Sequence, residues 1–249
     1  MRLKITLITA IITAFFAGCD SGGGGGYGRG GKGHGGGMGH GKNGNNSQID
    51  VNSYPKYELS QANKDDLAFM GNEERLAYDV YMALYNYHRD RGTTINQFYN
   101  ISTRSETKHI ATVRELVNKY NITKDDLTIL DTQPAASNTT PQNSLPAGKY
   151  DISHIQNLYN TLLAKGKNSV QDALEVGCMV EVTDINDLNP KIDNAISSGA
   201  KDLEDAFKFL REGSYNHYWA FDRGLKNIGI EAGCCALGDD WCHEEYPKN

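Results

Sequence analysis

At 249 residues the chain is long enough for one good-sized domain plus tails. Its 25 basic and 31 acidic residues leave a net charge of −6. The charges are mixed along the folded part rather than blocked, which excludes the clustered basic face that nucleic acid needs.

Residues 1–18 read as an export signal. "MRLK" is a basic start, and "ITLITAIITAFF" is an apolar run of 12. That run is too short for a membrane-spanning helix, which needs roughly 20 residues, and suits a signal h-region. "FAGCDS" follows. This small-small-Cys sequence resembles the lipobox of bacterial lipoproteins, although Phe16 stands where that family usually has Leu. The resemblance implies cleavage before Cys19, a lipid on Cys19 and a mature protein anchored to a membrane on the periplasmic side or cell surface; an unlipidated secreted protein is the alternative. Asp20 after the Cys would favour retention at the inner membrane. Residues 19–56 form a Gly-rich segment that cannot bury a core and reads as a flexible tether. His34 and His40 lie in it, and a plain spacer is the better reading there than weak metal capture.

From residue 57 to about 230 the texture is helical, with steps of three and four and no strand alternation. The first helix spans "LSQANKDDLAFMGNEERLAYDVYMALYNYHRD" and puts Leu67, Met70, Glu74, Ala77, Tyr81 and Leu84 on one face. "RGTTINQF" breaks it. The second runs from about Ser102 to Tyr120, with His109, Val113, Leu116 and Tyr120 inward and Glu106 just above His109. A Pro-containing crossover with Pro134, Pro141 and Pro146 follows, then a short helix, "DISHIQNLYNTLLAKG", closed by Gly166. Ser169 caps the third long helix, whose inward series is Ala173, Gly177, Glu181, Asp184 and Leu188, and which Pro190 is expected to end. The fourth repeats Leu203, Phe207, Leu210, Ser214, His217, Phe221 and Leu225. The predicted fold is all-α: a four-helix bundle with a long crossover between the second and third helices.

Each long helix sets a metal-ligand residue type among its apolar face: Glu74, then Glu106 and His109, then Glu181 and Asp184, then His217. Burying an ionised carboxylate without a partner costs several kcal/mol. A lone case would read as a surface pair or a satisfied core histidine. Four helices doing so together point to cations in the core, which carboxylates and imidazoles suit. Of the neighbours Glu73 and Glu74, periodicity selects Glu74 and leaves Glu73 solvated.

One Glu from each of two helices plus Glu-x-x-His from each of the other two is the ferritin-like di-iron pattern. The ordered set "MGNEERLAYDVY…SETKH…ALEVGCMVEVTDINDL…GSYNHYWAF", over roughly residues 60–228, resembles ferritin-like proteins. More narrowly, it resembles the bacterial and archaeal family known as domain of unknown function 2202. The resemblance implies a ferritin-like bundle holding iron at two positions, with one metal, manganese or zinc as alternatives. Tyr81, seven residues after Glu74, is similar to the ferritin ligand-and-tyrosine pair on helix one, and implies a redox or supporting role. "EVTD" is similar to the doubled carboxylate of rubrerythrins. One position departs: where Glu-x-x-His is expected on helix four the chain reads "SYNH", with Ser214 in the carboxylate place, which Asp184 would have to replace.

Residues 231–249 form a Cys-rich tail. Cys178, Cys234, Cys235 and Cys242 are disulfide candidates in an oxidising compartment, and a zinc site with His243 is the lesser reading. The expected partners are metal ions, O2 or H2O2 if the protein is an enzyme, the membrane through the lipid anchor, and a second copy of the chain as a homodimer. Ferroxidase or peroxidase activity, metal binding without catalysis, and a purely structural lipoprotein all remain open at this level. The chain lacks rubredoxin-like Cys-x-x-Cys pairs, so a rubrerythrin-type cycle would need an external electron donor.

Overall fold

The computed structural model describes residues 48–131 and 146–248. The export segment, Cys19, His34, His40, Pro134 and Pro141 lie outside the described residues. Among the described residues the chain is all helical, with no strand, and no helix is long and apolar enough to cross a membrane.

Helix α1 spans Gln61–Arg89 and starts at a capping box, in which Ser60 and Asn63 each accept from the other's backbone N–H. Helices α2 (Asn96–Ile101) and α3 (Thr107–Tyr120) are joined by a π turn, Ser102–Glu106, into one rod. Asn121, at φ 53°, ends it in the left-handed conformation. Helix α4 (Ser153–Gly166) lies in the crossover. Helix α5 (Val170–Ser198) is capped by Ser169, which accepts from the Asp172 N–H, and α6 spans Lys201–Asn227. The rods α1, α2–α3, α5 and α6 make the four-helix bundle, and α4 packs on α1 and α5.

Two expectations are corrected. The second rod begins at Asn96 rather than Ser102, because Phe98 and Ile101 give "NQFYNI" a buried face of its own. Pro190 does not end α5, which runs on to Ser198 and stops where Gly199 takes φ +71°. A proline inside a helix costs about 3 kcal/mol. The turns beyond Pro190 bury Ile192 and Ala195, whose packing offsets that cost.

The apolar core is split along the bundle. One cluster gathers Leu76, Val80, Tyr81, Phe98, Val176 and Phe221. The other gathers Leu67, Met70, Val113, Leu116, Leu188 and Phe207. On every long rod the change from one cluster to the other falls at the acidic and histidine positions: Glu74, Glu106 and His109, Glu181 and Asp184, Ser214 and His217. The tail is tied to the bundle by a Cys178–Cys234 disulfide and closed on itself by Cys235–Cys242. Those four sulfurs are thereby spent, and no zinc knuckle forms with His243. Tyr218 Oη donates to the Trp241 carbonyl at 2.9 Å, and Trp219 Nε1 to the Pro247 carbonyl at 3.0 Å.

Candidate metal centre

The π turn places the Glu106–His109 pair. Two turns of regular α-helix take about seven residues, which would bring Ser105 under Phe98. A π turn absorbs one residue more, so Glu106 comes round to the Phe98 face instead. The sequence supports the wider turn chemically. The hydroxyls of Ser102, Thr103 and Thr107 donate to the carbonyls four residues back, at 2.8, 2.7 and 3.2 Å, the back-bonding by which such side chains bend a helix.

Glu74, Glu106, His109, Glu181 and His217 meet in the band between the two apolar clusters, and all are between 1% and 6% exposed. His109 Nδ1 stands 3.0 Å from Glu74 Oε2 and 3.3 Å from Glu106 Oε2. His217 Nδ1 stands 3.0 Å from Glu106 Oε1 and 3.4 Å from Glu181 Oε2. The two imidazole rings are 5.6 Å apart. Two donor sets result, Glu74–Glu106–His109 and Glu106–Glu181–His217, each with its ligand atoms within 4.8 Å of one another. Glu106 belongs to both, one carboxylate oxygen facing each histidine.

Asp184 falls in neither set. It is buried beside them, where its Oδ2 accepts from Ser214 Oγ, and Ser214 Oγ also contacts the Leu210 carbonyl at 3.1 Å. The Ser214 position is thus filled by a contact to the acidic residue of the neighbouring helix. Tyr81, fully buried, donates to Glu181 Oε1.

The titration behaviour is that of carboxylates removed from water and held by two imidazoles. Burial pushes Glu74 up to about 7, against the pull of His109. Burial raises Glu181 too, with His217 opposing it, and carries Asp184 well above the usual carboxylate range with Glu74 adding to the rise. Burial also acts on Glu106, but His109 and His217 together outweigh it and hold this carboxyl well below the usual range. Burial lowers the histidines; Glu74 and Glu106 more than reverse it at His109, and Glu181 and Glu106 lift His217 to about 10.

These residues fit divalent cations. Glu74 Oε1, Asp184 Oδ1 and His217 Nδ1 are buried without a hydrogen-bond partner of acceptable geometry. Native interiors rarely leave such atoms unsatisfied. His217 Nδ1 is near two carboxylates yet aimed squarely at neither, as a nitrogen directed at a point between them would be. The carboxylates Glu74, Glu106, Glu181 and Asp184 carry together the charge that two divalent cations balance, once the imidazoles are neutral.

Two features escape the periodicity. Gly213 sits where a Cβ would lie 2.4 Å from His109 Nε2, so a side chain there would displace the ring. A glycine inside a strong helical pattern marks such a close approach. Glu73, read as solvated, is instead buried at 2% exposure, because α5 covers the second flank of α1 as well.

Comparison with known proteins gives a family but no activity. The family described as an uncharacterized protein domain, DUF2202, matches residues 63–241. An uncharacterized protein of Methanocaldococcus jannaschii, MJ0754, is 34% identical over 179 residues, covering 72% of this chain and 83% of that protein. The crystal structure of the same hypothetical protein aligns with a TM-score of 0.58 at 34% identity, over 71% of this chain and 86% of that one.

Proposed function

This chain belongs to the DUF2202 family of uncharacterized proteins, and we propose that it is a ferritin-like metal-binding protein whose bundle core holds two divalent cations, preferentially iron, and acts as a ferroxidase or peroxidase. The observation that carries this reading is the pair of buried donor sets joined through Glu106. Glu74 and His109 would hold one cation, Glu181 and His217 the other, and Glu106 both. Asp184, oriented by Ser214, supplies the fourth carboxylate. Iron bound there would supply one-electron chemistry toward O2 or H2O2. The chain's own part is to exclude water with the two apolar clusters and to release the protons of His109 and His217 as cations bind. Tyr81 holds Glu181 through its hydroxyl and stands ready beside it for a redox or supporting role.

We also place the protein outside the cytoplasm, held by lipid on Cys19. The basic start, the short apolar run and the Cys after it support that placement, as do two disulfides, which persist in oxidising compartments.

Ser214 favours a second reading, metal binding without turnover, because the fourth helix offers a hydroxyl where a carboxylate would anchor a second cation. One experiment separates the readings. The purified chain is loaded anaerobically with Fe2+, its metal counted by mass spectrometry, and air or peroxide then admitted. About two irons per chain and consumption of the oxidant support the enzyme. Tight binding without consumption leaves a binding protein. A Glu106→Ala/His109→Ala chain that keeps full occupancy would show that the centre has been misplaced.

A further inference from the structure

Between the last turns of α6 and the tail lies a cleft of about 310 Å³, lined by Asn216, Trp219, Asp222, Arg223, Lys226 and Lys248. None of these residues is a donor of the metal centre. Positions 216, 219, 223 and 226 recur at steps of three and four, so one stripe of α6 forms a wall, and Lys248 brings the tail against it. Trp219, only 8% exposed, joins the two. Its Nε1 donates to the Pro247 carbonyl at 3.0 Å, and the Lys248 ammonium lies 4.0 Å from its ring centroid. The Cys178–Cys234 and Cys235–Cys242 bridges hold the tail that carries Lys248, so the cleft is built before any ligand arrives.

Charge sets this cleft apart in a chain whose net charge is −6. Asp222 is buried, and both its oxygens are engaged: Oδ1 accepts from the Cys234 N–H at 3.1 Å and Oδ2 from Lys226 Nζ at 2.8 Å. That carboxylate offsets the Lys226 ammonium. Arg223 and Lys248 are exposed, and among the described residues neither pairs with a carboxylate. The lining therefore keeps an excess of two positive charges, Arg223 and Lys248. A carboxylate ligand would balance one of them. A phosphate monoester carries about −1.5 to −2 at neutral pH and offers three acceptor oxygens, which balances both. The planar fork of an arginine suits two of those oxygens at once. Asn216 Nδ2 donates to the Glu212 carbonyl at 2.9 Å, which leaves its amide oxygen to accept from a ligand hydroxyl. The volume exceeds that of a bare phosphate and stands at the small end of ligand sites, roughly 300–1,000 Å³, so the body of the ester is small. We propose that this cleft is a binding site for the phosphate monoester of a small polyol, with Arg223 and Lys248 on the phosphate, the Trp219 ring under the carbon body and Asn216 on a hydroxyl. The shared chemistry allows two sources, a soluble ester or the headgroup of a phosphatidic acid lipid. The site does not rest on the proposed metal centre.

Glycerol phosphate is the first probe, titrated calorimetrically into the full chain, and vesicles of neutral lipid with and without phosphatidic acid are the second. Wild type is expected to bind, and to bind more tightly from about pH 5 to 7 as the ester loses its second proton, whose pKa is about 6. Arg223→Gln and Lys248→Gln should each weaken binding about tenfold or more, the loss of a charge-assisted contact. Both side chains are exposed, so their thermal melts should match wild type. Lys201→Gln, at the opposite end of α6, should change nothing. A Glu106→Ala/His109→Ala chain should bind as wild type does; if it does not, the anion sits on the metal centre and the cleft is overturned. Binding of glycerol phosphate without retention on the vesicles assigns a soluble ester. Retention that needs phosphatidic acid and is lost in Arg223→Gln assigns the headgroup. No binding of either probe, or unchanged affinity in both Arg223→Gln and Lys248→Gln, overturns the site. Acetate bound as tightly as glycerol phosphate would overturn the assignment to phosphate.

Discussion

Glu106 carries more of the site than any other side chain, because its two oxygens face different histidines. Its loss is therefore not equivalent to the loss of a terminal carboxylate. Glu106→Gln should lower the metal content from about two ions per chain to nearly none, whereas Glu181→Gln should leave about one, both counted by mass spectrometry. Equal losses would mean that Glu106 does not bridge. The same residues make the metal-free protein sensitive to pH. Glu74 is lifted from 4.5 to about 7, and His217 from 6.5 to about 10. Each binds its proton more tightly in the fold than in the unfolded chain. The stability they contribute is thus complete at low pH, and is lost between pH 4.5 and 7 for Glu74 and between pH 6.5 and 10 for His217. Glu106 runs the other way, but only below its ordinary value of 4.5. Cations must displace the same protons, so their stabilising effect grows over the same range. The Tm of chelated protein should fall from about pH 5 to 9 while its gap to loaded protein widens; a constant gap would remove these groups from the metal site.

At the scale of elements, the site depends on how closely rods approach and on where one rod changes its winding. The His109 ring fills the space that a Cβ on Gly213 of α6 would need. Gly213→Ala should raise helix propensity by about 1 kcal/mol, yet push the ring out of register with Glu74 and Glu106. Metal affinity is expected to drop about 10–100-fold, the usual cost of disturbing what orients a ligand. The metal-free Tm should fall as well, because a displaced ring leaves the buried Glu74 and Glu106 carboxylates short of their partner, a loss larger than the gain in helix propensity. Titration with Co2+ beside a thermal melt checks both, and unchanged affinity would mean that the ring has room to give. The π turn acts on the rod's other side, bringing Glu106 rather than Ser105 to the inner face.

For the whole molecule, the bundle and tail are held together by the Cys178–Cys234 crosslink, which closes a loop across 56 positions one turn before Glu181. A loop of that length is worth about 4 kcal/mol in the chain-entropy account, while Cys235–Cys242 closes a far shorter one. Cys178→Ala/Cys234→Ala should lower the unfolding free energy by about 2–4 kcal/mol in urea titration, with a smaller loss for Cys235→Ala/Cys242→Ala. The reverse order would show that the tail is held by packing around Tyr218 and Trp219 instead. The charge pattern has its own logic at this scale. Apolar clusters at both ends of the bundle enclose an acidic band, so cations entering that band gain from a low dielectric that also excludes water.

Stripes such as Leu67, Met70, Glu74, Ala77, Tyr81 and Leu84 were legible before any coordinates, because helical period is a local property and one buried face prints itself on the chain. The four-rod bundle, the long crossover and the candidate ligand types follow from that period and from the cost of burying acids. Other features needed the fold. Glu73 lies about 100° round α1 from Glu74, so its burial depends on a helix that arrives more than a hundred residues later. The π turn leaves no periodic mark of its own, only a run of hydroxyls. Pro190 stays inside α5 because Ile192 and Ala195 find distant partners, which propensity does not count. The sharing of Glu106 and the pairing of four cysteines are likewise relations between rods. Local sequence sets which residues can face inward; the approach of non-neighbouring segments sets which of those meet.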